Sequence, residues 1–359
     1  MSSIQKYLSA AKANKNDAKM IILGNEAADL DFMASSITYG YLLSLLDADS
    51  FVLPVMPIPR ADFKLRTEAV YVFNVAGVNL EDVVFYDEVD FHTLMEGGAD
   101  LVLVDHNKLS PALEKYNTNV SGVLDHHIDE GLYEDAAPRV IELVGSTTTL
   151  IAAKFNKAGI AIEEDVALLL AGTILLDTVN LDPAAGRVTD TDEEVAAKIL
   201  PLCPTSRQEY FDNIQREKFS VAGLSTRDLL RKDYKEFQFG SAHCGIGSAL
   251  LPISQWQEMD DNLHAGFADY AKKGQLDVLL SMNAYTNPDF NRDLVIYCST
   301  KEGHDTLLDY LQNNSLELTT IDFPSKQQEG EAFISFYHQG NLGISRKKLQ
   351  PLLANFFKK

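Results

Sequence analysis

The chain is short of cysteine, of positive charge and of long apolar runs. Its three cysteines, Cys203, Cys244 and Cys298, are far apart, odd in number and outside any paired motif. That excludes a disulfide framework and a thiolate zinc site, and it leaves reduced, buried thiols as the expectation. No window reaches the roughly 18 consecutive apolar residues of a membrane span, and the opening MSSIQKYLSAAKANKNDAK has no signal-peptide core. A soluble, cytoplasmic protein without membrane partners is therefore expected. Lysine and arginine number 31 against 52 aspartates and glutamates, a net charge of −21, which argues against nucleic acid as a partner. A small anionic substrate stays open to such a chain, provided that metal ions and a few basic side chains supply local positive charge. Nucleophile elbows of the GxSxG kind are absent, as are internal repeats and low-complexity tracts.

What is present is an alternation. At 359 residues the chain exceeds the size at which single cores stop growing, about 250 to 300 residues, so two domains are expected. Up to about residue 200, short aliphatic runs (MIILG, FVLPV, EDVVFY, ADLVLVD, SGVLD) alternate with helical stretches such as FMASSITYGYLLSLL, STTTLIAAKFNKAG and EEDVALLLAGTILLD. This pattern predicts an α/β domain with a mainly parallel sheet and helices on both faces. A Pro-punctuated, then charged and helical, segment follows. From about Tyr234 come YKEFQFG, HCGIGSALL, one helix around SQWQEMDDNLHAGFADYAKKG, LDVLLSMNAY, RDLVIYCS, DTLLDYLQNN, LELTTIDF, AFISFYH and a closing helix ISRKKLQPLLANFF. The expectation is a first domain over 1–205, a helical linker over 206–232 that would let the second domain close over the first, and a smaller mixed α/β domain over 233–359.

Three aliphatic runs of the first domain end alike, in MIILGNEAADLD, ADLVLVDHN and SGVLDHH. In open α/β sheets the ligand crevice lies beyond the carboxyl ends of the strands, so these ends are expected to converge. Asp177 closes the apolar run LLLAGTILLD. Asp29, Asp31, Asp105, Asp177 and His126 are thus candidates for one site. Singly, each acid reads as well as a helix N-cap or a turn former. Together, an oxygen-rich set with one imidazole suits manganese, magnesium or cobalt. The four carboxylates against two divalent cations leave about zero net charge, whereas without metal they would repel and hold protons.

In motif order, GNEAADLD, VDHN, LDHH and the Asp of LLDTVN, the chain resembles the DHH phosphoesterase superfamily. The terminal GISRKKLQP is similar to the basic signature of that superfamily's second, DHH-associated domain, shared with family II inorganic pyrophosphatases. Those pyrophosphatases usually begin the first motif with His. Asn25 in that place, with EAADLD and IPRADFKLRTE after it, is similar to the eukaryotic exopolyphosphatase and prune subfamily.

The resemblance implies two divalent cations, Mn or Mg with Co as an option, each held by one of Asp29 and Asp31. Asp105 and Asp177 would bridge or support the pair, His126 would complete the second site, and Asp125 would orient His126. His127 is implied as a phosphate or leaving-oxygen contact and His106 as a nearby support. Asn25, Arg346 and Lys347 are implied as substrate contacts, with Lys235 as a further basic position. Arg60 and Arg66 read equally as phosphate-channel residues or structural ion pairs. The start of the helix at Ser146 reads equally as a phosphate cradle or a simple cap. The implied activity is exopolyphosphatase: water attacks in line and releases terminal orthophosphate from inorganic polyphosphate. The rivals are a pyrophosphatase, a short-chain or nucleotide phosphoesterase, and a degenerate protein-binding module. A monomer or weak homo-oligomer is expected.

Overall fold

The structure is a computed structural model that describes residues 2–25, 27–47, 49–321, 326–327 and 333–358. It divides into two compact units, residues 1–220 and 221–359. Glu26 and parts of the stretches LELTTIDF and AFISFYH lie outside the described residues.

The first unit is built on six parallel strands: β1 (Met20–Leu23), β2 (Val52–Met56), β3 (Val84–Phe85), β4 (Asp100–Val104), β5 (Val120–Asp125) and β6 (Arg139–Ile141). Their order is β3-β2-β1-β4-β5-β6. Side chains alternate between the two faces, as the pleat requires. Ile21, Leu23, Leu101 and Leu103 pack toward the helix Phe91–Glu96. Ile22, Val102, Val104 and Leu124 pack toward the long helices Leu30–Leu46, Thr147–Ala158 and Glu164–Asp177. Helices therefore cover both faces, as the sequence pattern predicts, with the thicker layer on one. Of these, Leu30–Leu46 and Glu164–Asp177 are apolar almost all round, which suits elements enclosed by sheet and further helices.

The strand order reverses between β1 and β4, where β1 pairs with β2 on one side and β4 on the other. Chains leaving the two strands at their carboxyl ends turn to opposite sides, and a crevice opens between them. β6 escaped the sequence reading because it is three half-buried residues long. The segment 206–232, read as a linker, is helical over Arg207–Lys218 and Thr226–Lys232. Tyr210 and Ile214 of the first helix are fully buried in the core of the first unit, with the Tyr210 hydroxyl donating to Leu168 O at 3.0 Å.

The second unit holds a mixed sheet of β7 (Tyr234–Phe239), β8 (Ala242–Ala249), β9 (Val278–Thr286), β10 (Phe290–Cys298), β11 (Leu318–Thr320), β12 (Lys326–Gln327) and β13 (Phe333–Gln339). The order is β11-β13-β10-β9-β8-β7, with β12 also on β13. β8 and β9 are parallel, and the other pairs are antiparallel. The helix expected around SQWQEMDD is two, Ile253–Met259 and Leu263–Lys273, because Asp260 between them is extended and accepts a hydrogen bond from Thr226 Oγ1. All three cysteines are free, and Cys244 and Cys298 are buried. Among the described residues no helix is long and apolar enough to cross a membrane.

Candidate metal centre

The turn after β1 carries the first two acids. Gly24 is required there because a Cβ would overlap the Phe32 ring. Asp29 then caps the helix Leu30–Leu46, accepting from Phe32 N at 3.2 Å, so the capping reading holds for it while it also lines the site. Asp31, two residues on and still in the first turn, is buried and reaches the end of another helix. It accepts from Thr147 N at 2.7 Å, Thr148 N at 3.2 Å and Ser146 Oγ at 2.9 Å, and so occupies the N-terminus of Thr147–Ala158. A carboxylate at the positive end of a helix is favoured by the dipole. The N–H groups that could have cradled a phosphate are thus taken by Asp31, and Ser146 itself is the cap.

Asp105 leaves β4 with φ of 60°. That left-handed conformation is costly for most side chains but tolerated by Asp and Asn. It turns the carboxylate into the crevice, where Oδ1 accepts from Thr147 Oγ1 at 3.1 Å and Oδ2 from Asn25 Nδ2 at 3.0 Å. Asn25 is therefore a donor to Asp105, and its own oxygen accepts from Ala27 N at 2.8 Å.

The Asp-His-His end of β5 divides its labour differently from the expectation. Asp125, fully buried, accepts from His127 Nδ1 at 2.8 Å and from the backbone N–H of His126 at 2.8 Å. His126 is instead oriented by a carbonyl, with Nδ1 2.9 Å from Val144 O. With Nδ1 donating to that carbonyl, the ring turns Nε2 to Asp105 Oδ1 at 3.3 Å and Asp31 Oδ2 at 3.5 Å. The reason is steric reach: a side chain one residue back on an extended strand points across the sheet, whereas the Val144 carbonyl lies beside the ring. Asn107, also buried, donates to Asp125 Oδ2 and to Ile128 O and accepts from Glu130 N, pinning the loop after β5. Nothing in the sequence singled it out beyond its place in VDHN.

Asp177 ends the helix Glu164–Asp177 and lines the cleft, and its buried Oδ2 has no hydrogen-bond partner among the described residues. The three residues that follow Thr178, Val179, Asn180 and Leu181, are all left-handed, with φ of 52°, 60° and 56°. Strain of this kind concentrates at functional sites.

Asp29, Asp31, Asp105, Asp177, His126 and His127 thus line one cleft of about 390 Å³, with Val144, Gly145 and Arg187. Ligand atoms of Asp105, His126 and His127 lie within 4.8 Å of one another. Burial, and then the charge of Asp105, lifts the Asp29 carboxyl above its ordinary range. Burial and Asp105 push Asp31 up to about 8. Burial, then Asp31, Asp29 and Asp105, raise Asp177 well above the usual range. For His126 burial works against the charged form, but Asp105 and Asp31 outweigh it and push the ring up to about 10. A buried carboxylate oxygen without a partner among the described residues, repelling acids and an imidazole whose Nε2 faces two of them are the donor set that a divalent cation completes. The residues fit such an ion.

The other expected site residues lie elsewhere. His106, held by Val104 O at 3.0 Å, lines a neighbouring cleft with Asn25, Tyr86 and Lys108. Arg60 is structural: it pairs with Glu88 through two hydrogen bonds and stacks 4.7 Å from the Phe85 ring. Arg66 donates to Ala27 O and Ala28 O at 2.7 and 3.0 Å, holding the Asp29 turn. In the second unit, Arg346 opens the helix Arg346–Phe356 and binds Asp233 O and Oδ1 at 2.9 and 2.6 Å, directly before β7. Lys235 on β7 and Lys347 are exposed.

Two family models match the chain, the DHH family N-terminal domain over residues 19–174 and the DHHA2 domain over residues 212–356. Exopolyphosphatase PRUNE1 of Mus musculus is 32% identical over 362 residues, covering 98% of this chain and 78% of the mouse protein. That of Bos taurus is 32% identical over 364 residues with the same coverage. A manganese-dependent inorganic pyrophosphatase of Methanothrix thermoacetophila is 27% identical over 265 residues, 73% of this chain and 79% of its own. With the acidic cleft at the carboxyl ends of its parallel strands and a match to both models, the chain belongs to the DHH family and pairs its N-terminal DHH domain with a DHHA2 domain.

Proposed function

We propose that this protein is a cytoplasmic, metal-dependent exopolyphosphatase, hydrolysing the terminal phosphoanhydride bond of inorganic polyphosphate to release orthophosphate. The observation that carries the reading is the convergence of Asp29, Asp31, Asp105, Asp177, His126 and His127 on one cleft. Relatives named exopolyphosphatase match across 98% of the chain, which supports the choice of substrate.

Asp29, Asp31, Asp105, Asp177 and His126 would hold two divalent cations, manganese or magnesium. Bound there, the cations would supply the Lewis-acid and water-activating chemistry that phosphoryl transfer needs. Thr147 and Asn25 fix both oxygens of Asp105, and Val144 O fixes the tautomer of His126. His127 has a different part. Its hydrogen bond to Asp125 raises its pKa and so favours the protonated ring, and we assign it to the departing phosphate oxygen as a hydrogen-bond donor. Arg346 and Lys347 of the second unit are assigned to the outer phosphates of the chain, with Lys235 beside them, on the strength of the SRKK signature.

The second reading is a pyrophosphatase, favoured by the archaeal relative. Asn25 speaks against it, since its oxygen is already used by Ala27 N and its amide donates to Asp105. Steady-state rates with pyrophosphate, tripolyphosphate and long polyphosphate, each with manganese, magnesium and cobalt, separate the two. Highest kcat/KM on tripolyphosphate or longer chains supports exopolyphosphatase, and highest on pyrophosphate sinks it. No turnover with any metal would favour a binding module.

A further inference from the structure

The cleft of acids and imidazoles is lined by a single arginine among the described residues, Arg187. Its side chain is exposed and has neither hydrogen bond nor ion pair within the described residues. Arg60 and Arg66, by contrast, are fully engaged. The turn that carries Arg187 is nonetheless held firmly. Asp192, fully buried, accepts from Gly145 N at 2.8 Å, Thr149 Oγ1 at 2.6 Å, Thr189 N at 2.8 Å and Thr189 Oγ1 at 2.7 Å. Those four donors tie the turn two residues after Arg187 to the same segment that grips Asp31. A Cβ on Gly145 would lie 2.7 Å from Arg187 O and 2.9 Å from Asp192 Oδ2, so the close approach depends on glycine.

We infer that Arg187 is a substrate-binding residue of this site, gripping oxygens of the phosphoryl group that enters the cleft. The inference rests on the phosphoanhydride reading above. Two divalent ions cancel the four carboxylates and leave nothing over for the charge that the substrate brings. The phosphoryl group spreads that charge over its outer oxygens, which further cations must meet. A planar guanidinium meets two such oxygens at once. Arg187 is unpaired, lies on the cleft wall and hangs from a turn fixed by a buried carboxylate. It therefore supplies that cation from within the first unit.

Full-length, metal-loaded Arg187→Ala and Arg187→Lys test the inference against Arg207→Ala, an exposed arginine of the same unit outside the cleft. Calorimetric titration with inorganic phosphate, Mn²⁺ stoichiometry and kcat/KM on tripolyphosphate are the readouts. The alanine variant should lose about ten- to a hundredfold in both phosphate affinity and kcat/KM, the scale of a charge-assisted contact. Lysine should recover part, and Mn²⁺ binding should not change. Wild-type phosphate affinity and turnover in Arg187→Ala would overturn the inference, as would an equal effect of Arg207→Ala or a loss that tracks lost Mn²⁺. A wild-type protein inactive on every phosphoanhydride overturns the functional reading instead.

Discussion

At the residue scale, Asp105 unites backbone conformation with chemistry. Its φ of 60° puts the carboxylate between Thr147, Asn25 and His126. Asp105→Asn keeps both the shape and the tolerance for that conformation, so the fold should survive while turnover falls at least a thousandfold; circular dichroism and phosphate release check the two halves. Asp105→Ala should in addition lower stability by about 1 kcal/mol, because alanine resists the left-handed region. Thr147→Val should weaken Mn²⁺ binding about tenfold or more through the lost support of Asp105, measured by titration. The acids themselves were legible in the sequence because each closes an aliphatic run or follows one within a short turn. Their supports were not: Thr147 is 42 residues from Asp105, and the carbonyl that orients His126 is 18 residues away and belongs to a valine. Any residue can offer a carbonyl, so sequence carries no mark of it.

At the scale of elements, the strand-to-helix junctions do the positioning. Gly145 is where the loop before Thr147–Ala158, the Arg187 turn and Thr178 meet, and a Cβ there would be 2.5 Å from Thr178 Cγ2. Gly145→Ala should cost about 1 to 3 kcal/mol, the usual price of overpacking, and weaken metal binding at the same time, because the segment gripping Asp31 must shift. Thermal melts with and without Mn²⁺ read both. The alternation of β1 to β5 with helices was visible because buried parallel strands are continuous aliphatic runs. β6 was hidden by its three half-buried residues, and the break at Asp260 by helix-forming residues on either side.

For the whole molecule, charge governs. Without metal the folded protein holds more protons than the unfolded chain, on Asp31 between 3.8 and about 8 and on His126 between 6.5 and about 10. Its stability should therefore fall as pH rises through that range. Bound cations require deprotonated ligands and reverse the trend. The gap in Tm between manganese-loaded and chelated protein should widen from pH 5.5 to pH 8, and a constant gap would contradict the assignment. The net charge of −21 also repels polyanions at long range, so kcat/KM on long polyphosphate should rise as KCl goes from about 10 to 150 mM.

The central claim is that buried carboxylates from distant points of the chain are compatible with one another only around divalent ions. Calorimetric titration of Mn²⁺ into chelated protein tests it most directly. Two equivalents bound by the wild type, with binding weakened in Asp105→Asn and Asp177→Asn, is the predicted result; a protein that takes up no manganese, or takes it up equally well without those carboxylates, would contradict it.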